Sequence, residues 1–502
     1  MSISGSRLSL GKVLRGSIWL SLGSILANFF GFIYWLLISP VVSPTTVGKV
    51  ATVLAVESLL LSTLSLGVPT GVMRFLGRES GRRDPIMLGR YLYSPLIFIL
   101  GLNLASGLLF LGLGLTRVIP LDIESIFFVS ILIFVGMNGW PLILVALFSS
   151  TLETESIAVV QFITGLSRIL IGVPLVYLGL DFLGVMLSYI IAAAGNTLML
   201  LLLARRQIQK LGAKFSVSGH AIKEAIEAGL ATWIPSTLTL AGQWLGILGL
   251  SGLVGSYETG IYFIGYAITT GLLAFPTNIV SLMFPVLSGM EDGRKRAMGE
   301  AVRISSAIMY PIAFMLIAYP TLIPSFLGEA YLSASTSIMI LASGFLLAPL
   351  VNGYTYYAYA LGKYREVILV GLAGNLPRII LYLLLIGKFA ETGTAISFSL
   401  GFLFSLLAVI PLARKTGYHL NLKGAAKSLS IPLAFCILTL VLKLPPLLGI
   451  TLILTPSYII YARLRIISKK DLTDLAAALL SREVLTTISP YLRPILKILY
   501  GE

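Results

Sequence analysis

About fourteen apolar stretches of roughly helical-span length follow one another along this 502-residue chain, with only short polar turns between them. A helix needs about 20 apolar residues to cross the hydrocarbon of a bilayer, and inside it every backbone N–H and C=O must be paired within the segment. That repetition predicts an all-α integral membrane protein. Composition agrees: 57% of the residues are hydrophobic and only 11% charged, against about 25% charged in a soluble domain. Too few polar side chains remain to cover a water-exposed surface, so lipid is the expected solvent.

The predicted spans lie near 14–38, 47–72, 86–115, 124–150, 156–179 and 183–204, then near 225–252, 258–287, 302–327, 331–361, 364–386 and 391–413. Two more, near 427–444 and 446–465, complete the set. No small-residue cleavage site follows the N-terminal basic residues, so the first span is read as a retained helix. With the N-terminus placed in the cytoplasm, about 30 of the 36 Lys and Arg fall on that side. Only Lys49, Arg117, Lys388 and Lys443 fall on the other, and Arg168 and Arg378 sit inside spans. A wrong span count would scramble such a bias, so it supports both the count and the orientation, with both termini cytoplasmic. It also accounts for the net charge of +15 without nucleic acid as a partner.

The first twelve spans read as two related halves. Gly48, Gly77, Glu79, Gly81 and Arg82 recur at a constant offset of 212 as Gly260, Gly289, Glu291, Gly293 and Arg294. Further on, Arg168 is answered by Arg378, and Gly184-x-x-x-Ser188 by Gly393-x-x-x-Ser397. Six spans per half give both halves the same orientation, a parallel repeat of the kind that builds transporters with a central site. The expected organisation is a lobe over 1–210, a second over 211–420, two further helices over 421–466, and a cytoplasmic amphipathic tail over 467–502.

Catalytic and cofactor chemistry finds little support in the chain. The one cysteine, Cys436, lies in an apolar segment, and the two histidines, His220 and His419, lie in basic loops. Neither a metal site nor a cofactor is expected, and no G-x-x-x-x-G-K-[S/T] phosphate loop occurs. Asp122-x-Glu124 resembles the acidic pair of a membrane-embedded glycosyltransferase or polymerase, but its short loop beside Arg117 reads more simply as solvated acids. The protein is not expected to be an enzyme.

SPTTVGKVA before the second span, and LGVPTGVMRFLGRESGRRD at its end, resemble the O-antigen-type polysaccharide flippases of the multidrug/oligosaccharidyl-lipid/polysaccharide (MOP) superfamily. Members of that family carry a Gly-Tyr or similar pair before the second helix. Here Gly48 precedes Lys49, whereas the second half keeps the fuller form in GSYETGIYF, with Gly260 and Tyr262. The resemblance implies a V-shaped transporter of two six-helix lobes plus two C-terminal helices. It further implies that an isoprenoid-linked oligosaccharide, on a phosphate or diphosphate carrier, is moved to the outer leaflet by alternating access. A cation-coupled multidrug exporter of the same fold is the alternative.

A polar glycan needs a hydrated path through about 30 Å of hydrocarbon. Ser17, Ser21, Ser24, Asn28, Gly31 and Trp35 form one stripe on the first span, and Thr232, Ser236, Thr239, Gln243 and Gly246 form another on the seventh. Such stripes line a cavity or let helices pack closely. Ionisable residues within spans cost about 2.5–3.5 kcal/mol on insertion scales and rarely face lipid. Glu57 is therefore a candidate for a coupling H+ or Na+, or for neutralising a cavity arginine. Arg168 and Arg378 are candidates to hold a diphosphate or acidic sugar, or to brace their own halves. Arg74 and Asn278 are weaker candidates near the cytoplasmic side, and Glu153 and Glu155 are expected to brace against Arg90 or Arg365. Pro69, Pro141, Pro174, Pro235, Pro276, Pro285 and Pro311 mark expected bending points.

Overall fold

The computed structural model describes residues 19, 23–82, 84–116, 125–290, 292–469, 471 and 500. The amphipathic tail over 467–502 falls almost wholly outside them, as do Ser17, Ser21, Asp122 and Glu124. Among the described residues the regular structure is helical.

The first spans are α1 (Gly23–Ile38), α2 (Pro44–Leu64), α3 (Val68–Arg82) and α4 (Pro85–Leu115). Two of them start on the same local device. Ser43 and Asp84 sit at N-caps with proline at the first helical position, and their side-chain oxygens accept backbone N–H groups that the helix leaves unpaired. The predicted second span, 47–72, is in fact broken. Leu66 and Gly67 take positive φ values of 48° and 73°, which ends α2 and starts α3 on a new line. Pro69 lies in the first turn of α3, where a missing N–H costs nothing.

α5 (Ser125–Asn138) and α6 (Pro141–Ser150) make the fourth span, interrupted at Gly139 and Trp140. α7 (Glu155–Leu175), a π-turn at Val176–Leu180 and α8 (Asp181–Leu211) form a 57-residue apolar run, and a later helix, Tyr364–Thr416, has 53 residues. Each is more than twice the length that spans a bilayer, and each reverses at a sharp corner. Asp181 has φ 38° and ψ −119°, and Ala390 has φ 48° and ψ −125°. The same rare backbone turn at matching places supports the duplication more firmly than the glycine matches do.

α9 (Gly219–Leu253), α10 (Ser256–Gly289) and α11 (Arg294–Ala318) follow, then α12 (Leu322–Leu327), α13 (Ala334–Phe345), α14 (Ala348–Ala360), α15 (Tyr364–Thr416), α16 (Leu422–Val441) and α17 (Pro446–Arg463). α13 and α14 are two apolar helices that meet at a bend of 46°. α11 corrects the expected 302–327: it begins at the left-handed Gly293 and ends before Pro320. Hydropathy locates the lipid-facing part of a helix, while the helix itself continues into the charged run Arg294–Arg296.

The chain forms two compact units. One reaches Ile264 and includes Asn375–Ser397; the other comprises Gly265–Gly374 and the residues from Phe398 onward. The first unit packs around Val68, Leu88, Leu92, Leu147, Leu200 and Ala225, the second around Val280, Met298, Tyr354, Tyr357, Val409 and Tyr418. In the second unit α16 and α17 pack on each other and on α11. Tyrosine hydroxyls fix them there: Tyr458 donates to the Ile308 carbonyl at 2.9 Å and Tyr319 to the Leu444 carbonyl at 3.0 Å. Beyond α17, Arg303 donates to the Ile466 carbonyl and, at 2.9 Å, to the Asp471 carboxylate.

Candidate functional site

The interruption of the fourth span gathers polar side chains in the first unit. Asn138 closes α5, and its Nδ2 donates to the Glu57 carboxylate at 2.9 Å. Glu57, on α2, is only 8% exposed. The Met137 carbonyl, freed by the break, accepts the Thr197 hydroxyl of α8 at 3.1 Å. Gly139 lets Asn103 of α4 approach, since a Cβ there would stand 1.6 Å from the Asn103 amide nitrogen. Broken helices of this kind are tolerated at membrane depth where neighbouring groups re-satisfy the backbone.

Arg168, on α7, lies close enough to Glu57 for their charges to interact. Its guanidinium carbon stands 4.2 Å from the centre of the buried Tyr189 ring, a cation–π contact. Tyr189 in turn meets the rings of Tyr34, Trp35 and Phe134 edge-on or tilted. Tyr34 shares a 2.8 Å hydrogen bond with Ser188, the serine of the repeated Gly-x-x-x-Ser. The Arg168 Nε is buried with no hydrogen-bond partner. A carboxylate, a guanidinium and an aromatic wall thus sit together, as the cost of burying charge requires.

Beside Asn138 opens a cavity of about 270 Å³, lined by Leu61, Asn138, Pro141, Gln161, Asn196 and Leu200 among others. Three carboxamides converge on an otherwise apolar wall, and the Gln161 Oε1 has no partner. Such a wall offers donors and acceptors to a neutral polar group or to water. Among the described residues no three His, Cys, Asp or Glu come together as metal ligands.

Arg378 has different company. It is 6% exposed and donates to Asn375 Oδ1 at 3.0 Å. Both lie against Gly242 of α9, where a Cβ would stand 1.9 Å from Asn375 Oδ1 and 3.1 Å from an Arg378 nitrogen. Tyr382 adds a 2.9 Å bond to the Gly242 carbonyl. Asn28 is exposed and donates to the Ser24 carbonyl at 2.9 Å, and Arg74 is exposed on α3. Gln243 and Asn278 are half-buried. The two stripes are exposed at Ser24, Asn28, Ser236 and Thr239, then buried at Trp35 and Gly246. Glu153 pairs with Lys210, in the last turn of α8, at 3.6 Å, and Arg90 donates to Ser216.

Sequence reading missed Asn103, Asn138, Gln161, Asn196 and Tyr189. Carboxamides inside apolar spans were the available signal, since an amide pays a desolvation cost that a serine bonded to its own helix avoids.

A multi-pass helical chain with duplicated halves and ionisable groups held at membrane depth has the architecture of a MOP-type flippase or transporter. It belongs to the polysaccharide biosynthesis protein family, whose sequence profile matches residues 13–291. No curated protein matches it significantly in sequence. Its fold is that of the lipid II flippase MurJ in an inward closed conformation, with a TM-score of 0.71 over 88% of this chain and 98% of that one, at 14% identity. An inward-facing multidrug resistance MATE family transporter of the MOP superfamily gives 0.60 over 81% and 98%, also at 14% identity. A MOP superfamily transporter from Pyrococcus furiosus gives 0.57 over 81% and 95%, at 13%.

Proposed function

We infer that the protein is a flippase that carries isoprenoid-linked oligosaccharide repeat units from the cytoplasmic to the outer leaflet of the cell membrane. Both termini are then cytoplasmic, and the halves 1–210 and 211–420 act as lobes that alternate access. The observation that carries this reading is the membership of the polysaccharide biosynthesis family joined to ionisable groups held within the spans, Glu57 with Asn138 and Arg168 over Tyr189. A phosphate-bearing glycan supplies acceptor oxygens to a half-buried guanidinium whose Nε has no hydrogen-bond partner. Asn28, Gln243, Asn278 and Arg74 serve the polar path, and Arg378 stabilises the helix that presents it. Glu57 is the group to exchange H+ or Na+ if an ion gradient drives the cycle. The isoprenoid tail stays in lipid, where transfer costs nothing.

A cation-coupled drug exporter is the second reading, favoured by the likeness to MATE transporters. Inverted membrane vesicles separate the two. A labelled lipid-linked oligosaccharide added outside becomes protected from an impermeant glycosidase when the chain is present. Protection equal to that of vesicles lacking the protein, together with uptake of a cationic dye, would establish the exporter instead.

A further inference from the structure

The glycines that mark the repeat also touch each other. A Cβ on Gly48 would stand 1.7 Å from the Ser256 carbonyl oxygen, and a Cβ on Gly260 would stand 1.9 Å from the Pro44 carbonyl oxygen. Pro44 and Ser256, like Gly48 and Gly260, differ by the 212 residues that relate the halves. The contact is therefore reciprocal: each glycine abuts the partner residue equivalent to the one that abuts it. Reciprocal contacts of that kind arise only about a two-fold axis, here a local one passing between α2 and α10. Backbone meets backbone at this point, so nothing larger than glycine fits while it is closed.

Two further contacts lie around the seam. One turn along α2, the Thr52 hydroxyl donates to Ser251 at 2.9 Å, with Thr52 1% and Ser251 3% exposed. On α1 the Trp35 ring stands edge-on to Phe263 at 5.0 Å. Two turns back along α1, Phe29 is 51% exposed and Gly31 has open space at its Cβ position. Close backbone contact recurs toward the other end of these helices, where a Cβ on Gly229 of α9 would stand 2.0 Å from the Gly67 carbonyl oxygen and one on Gly71 2.0 Å from that of Ala225, but the reciprocity across 212 residues belongs to the Gly48–Gly260 seam.

We propose that Gly48 and Gly260 form the outer gate of the transporter, a two-fold glycine seam that is closed in this structure and parts when the cavity opens outward. The inference rests on the alternating-access reading above and on the orientation given by the charge bias. A gate made of two equivalent backbone surfaces opens symmetrically when the halves rock. Its closure needs no side chain to find a rotamer, and a single methyl group on either strand of the seam holds it ajar. Thr52 and Ser251, bridged by one hydrogen bond, are released with it.

The test uses the full-length protein in the cell membrane with Cys436→Ser as background. A single Thr52→Cys reporter is treated from outside with a membrane-impermeant maleimide. It should label slowly, and Gly48→Ala or Gly260→Ala should each speed labelling about tenfold, to similar extents. Thr52→Cys with Ser251→Cys should oxidise to a disulfide that blocks flipping of an isoprenoid-linked oligosaccharide, and reduction should restore it. Should a glycine variant fail to accumulate, the disulfide arm decides alone. Unchanged labelling in well-folded glycine variants, or full flipping with the disulfide formed, would make the seam static packing and overturn the proposal. If the reduced protein moves no glycan while labelling still follows the glycines, the gate stands and the substrate reading falls.

Discussion

Removing Asn138 tests whether the Glu57 carboxylate depends on it. The perturbation is Asn138→Ala, which deletes the 2.9 Å donor to a carboxylate that is 8% exposed. A hydrogen bond to a charged group contributes about 1.5–3 kcal/mol, and a neutral one about 1. The adjoining cavity of about 270 Å³ admits water to the vacated space, so the expected loss lies toward the lower end, about 1.5–2 kcal/mol. Glu57→Gln keeps an acceptor oxygen in the same place and removes the charge whose burial costs about 2.5–3.5 kcal/mol on insertion scales. That variant also takes the carboxylate away from Arg168, so it should itself be destabilising and serves as the reference background of the cycle. In its background Asn138→Ala should cost only about 1 kcal/mol, so the cycle should give a coupling of about 0.5–1 kcal/mol. Reversible unfolding by denaturing detergent in mixed micelles measures all four proteins. Equal losses from Asn138→Ala in both backgrounds would mean that the amide serves packing and not the charge.

Other expected outcomes concern neighbouring contacts. Gly242→Ala should destabilise by about 1–3 kcal/mol through overpacking against Asn375 and Arg378, whereas Gly101→Ala, with open space at its Cβ, should not; thermal melts of the two variants decide. Arg168→Lys loses the planar stack on Tyr189 and should lower stability by about 1 kcal/mol. Tyr189→Leu should match it and Tyr189→Phe should not, and a neutral Tyr189→Leu would remove the cation–π contact from the account. Burial raises the Asp471 carboxyl, but the Ser468 amide and hydroxyl and the Arg303 guanidinium outweigh it and hold its pKa below the ordinary value. Its stabilising contribution is therefore complete above about pH 4 and lost as pH falls through the lowered value. Asp471→Asn should cost under about 1 kcal/mol at pH 7, with the gap to the unaltered protein narrowing in melts at pH 3.

The spans were legible because hydrophobic length is a local property: each stretch needs its own 20 apolar residues whatever surrounds it. The ionisable residues within spans were legible for the same reason, since Glu57, Arg168 and Arg378 stand out against an apolar background. Their partners were not. Asn138 lies 81 residues from Glu57, and Tyr189 is one aromatic among many until α7 and α8 fold back on each other. Hydropathy runs unchanged through the break at Leu66–Gly67, and only Pro69, an expected bending point two residues on, marked the place. The Gly48–Gly260 match was visible as a repeat, but only the structure puts the two residues against each other. Arg168 and Arg378 looked equivalent in sequence, yet one stacks on an aromatic ring and the other is held by Asn375 against a glycine.

Transport of a lipid-linked glycan is measured most directly on the purified chain in liposomes. An isoprenoid diphosphate-linked oligosaccharide is placed in both leaflets, and its accessibility to an impermeant glycosidase is followed over time. Complete digestion is expected with the protein, and only the outer half without it. Digestion that stops at half in both cases, with the protein folded and inserted, would mean that the protein does not flip the glycan.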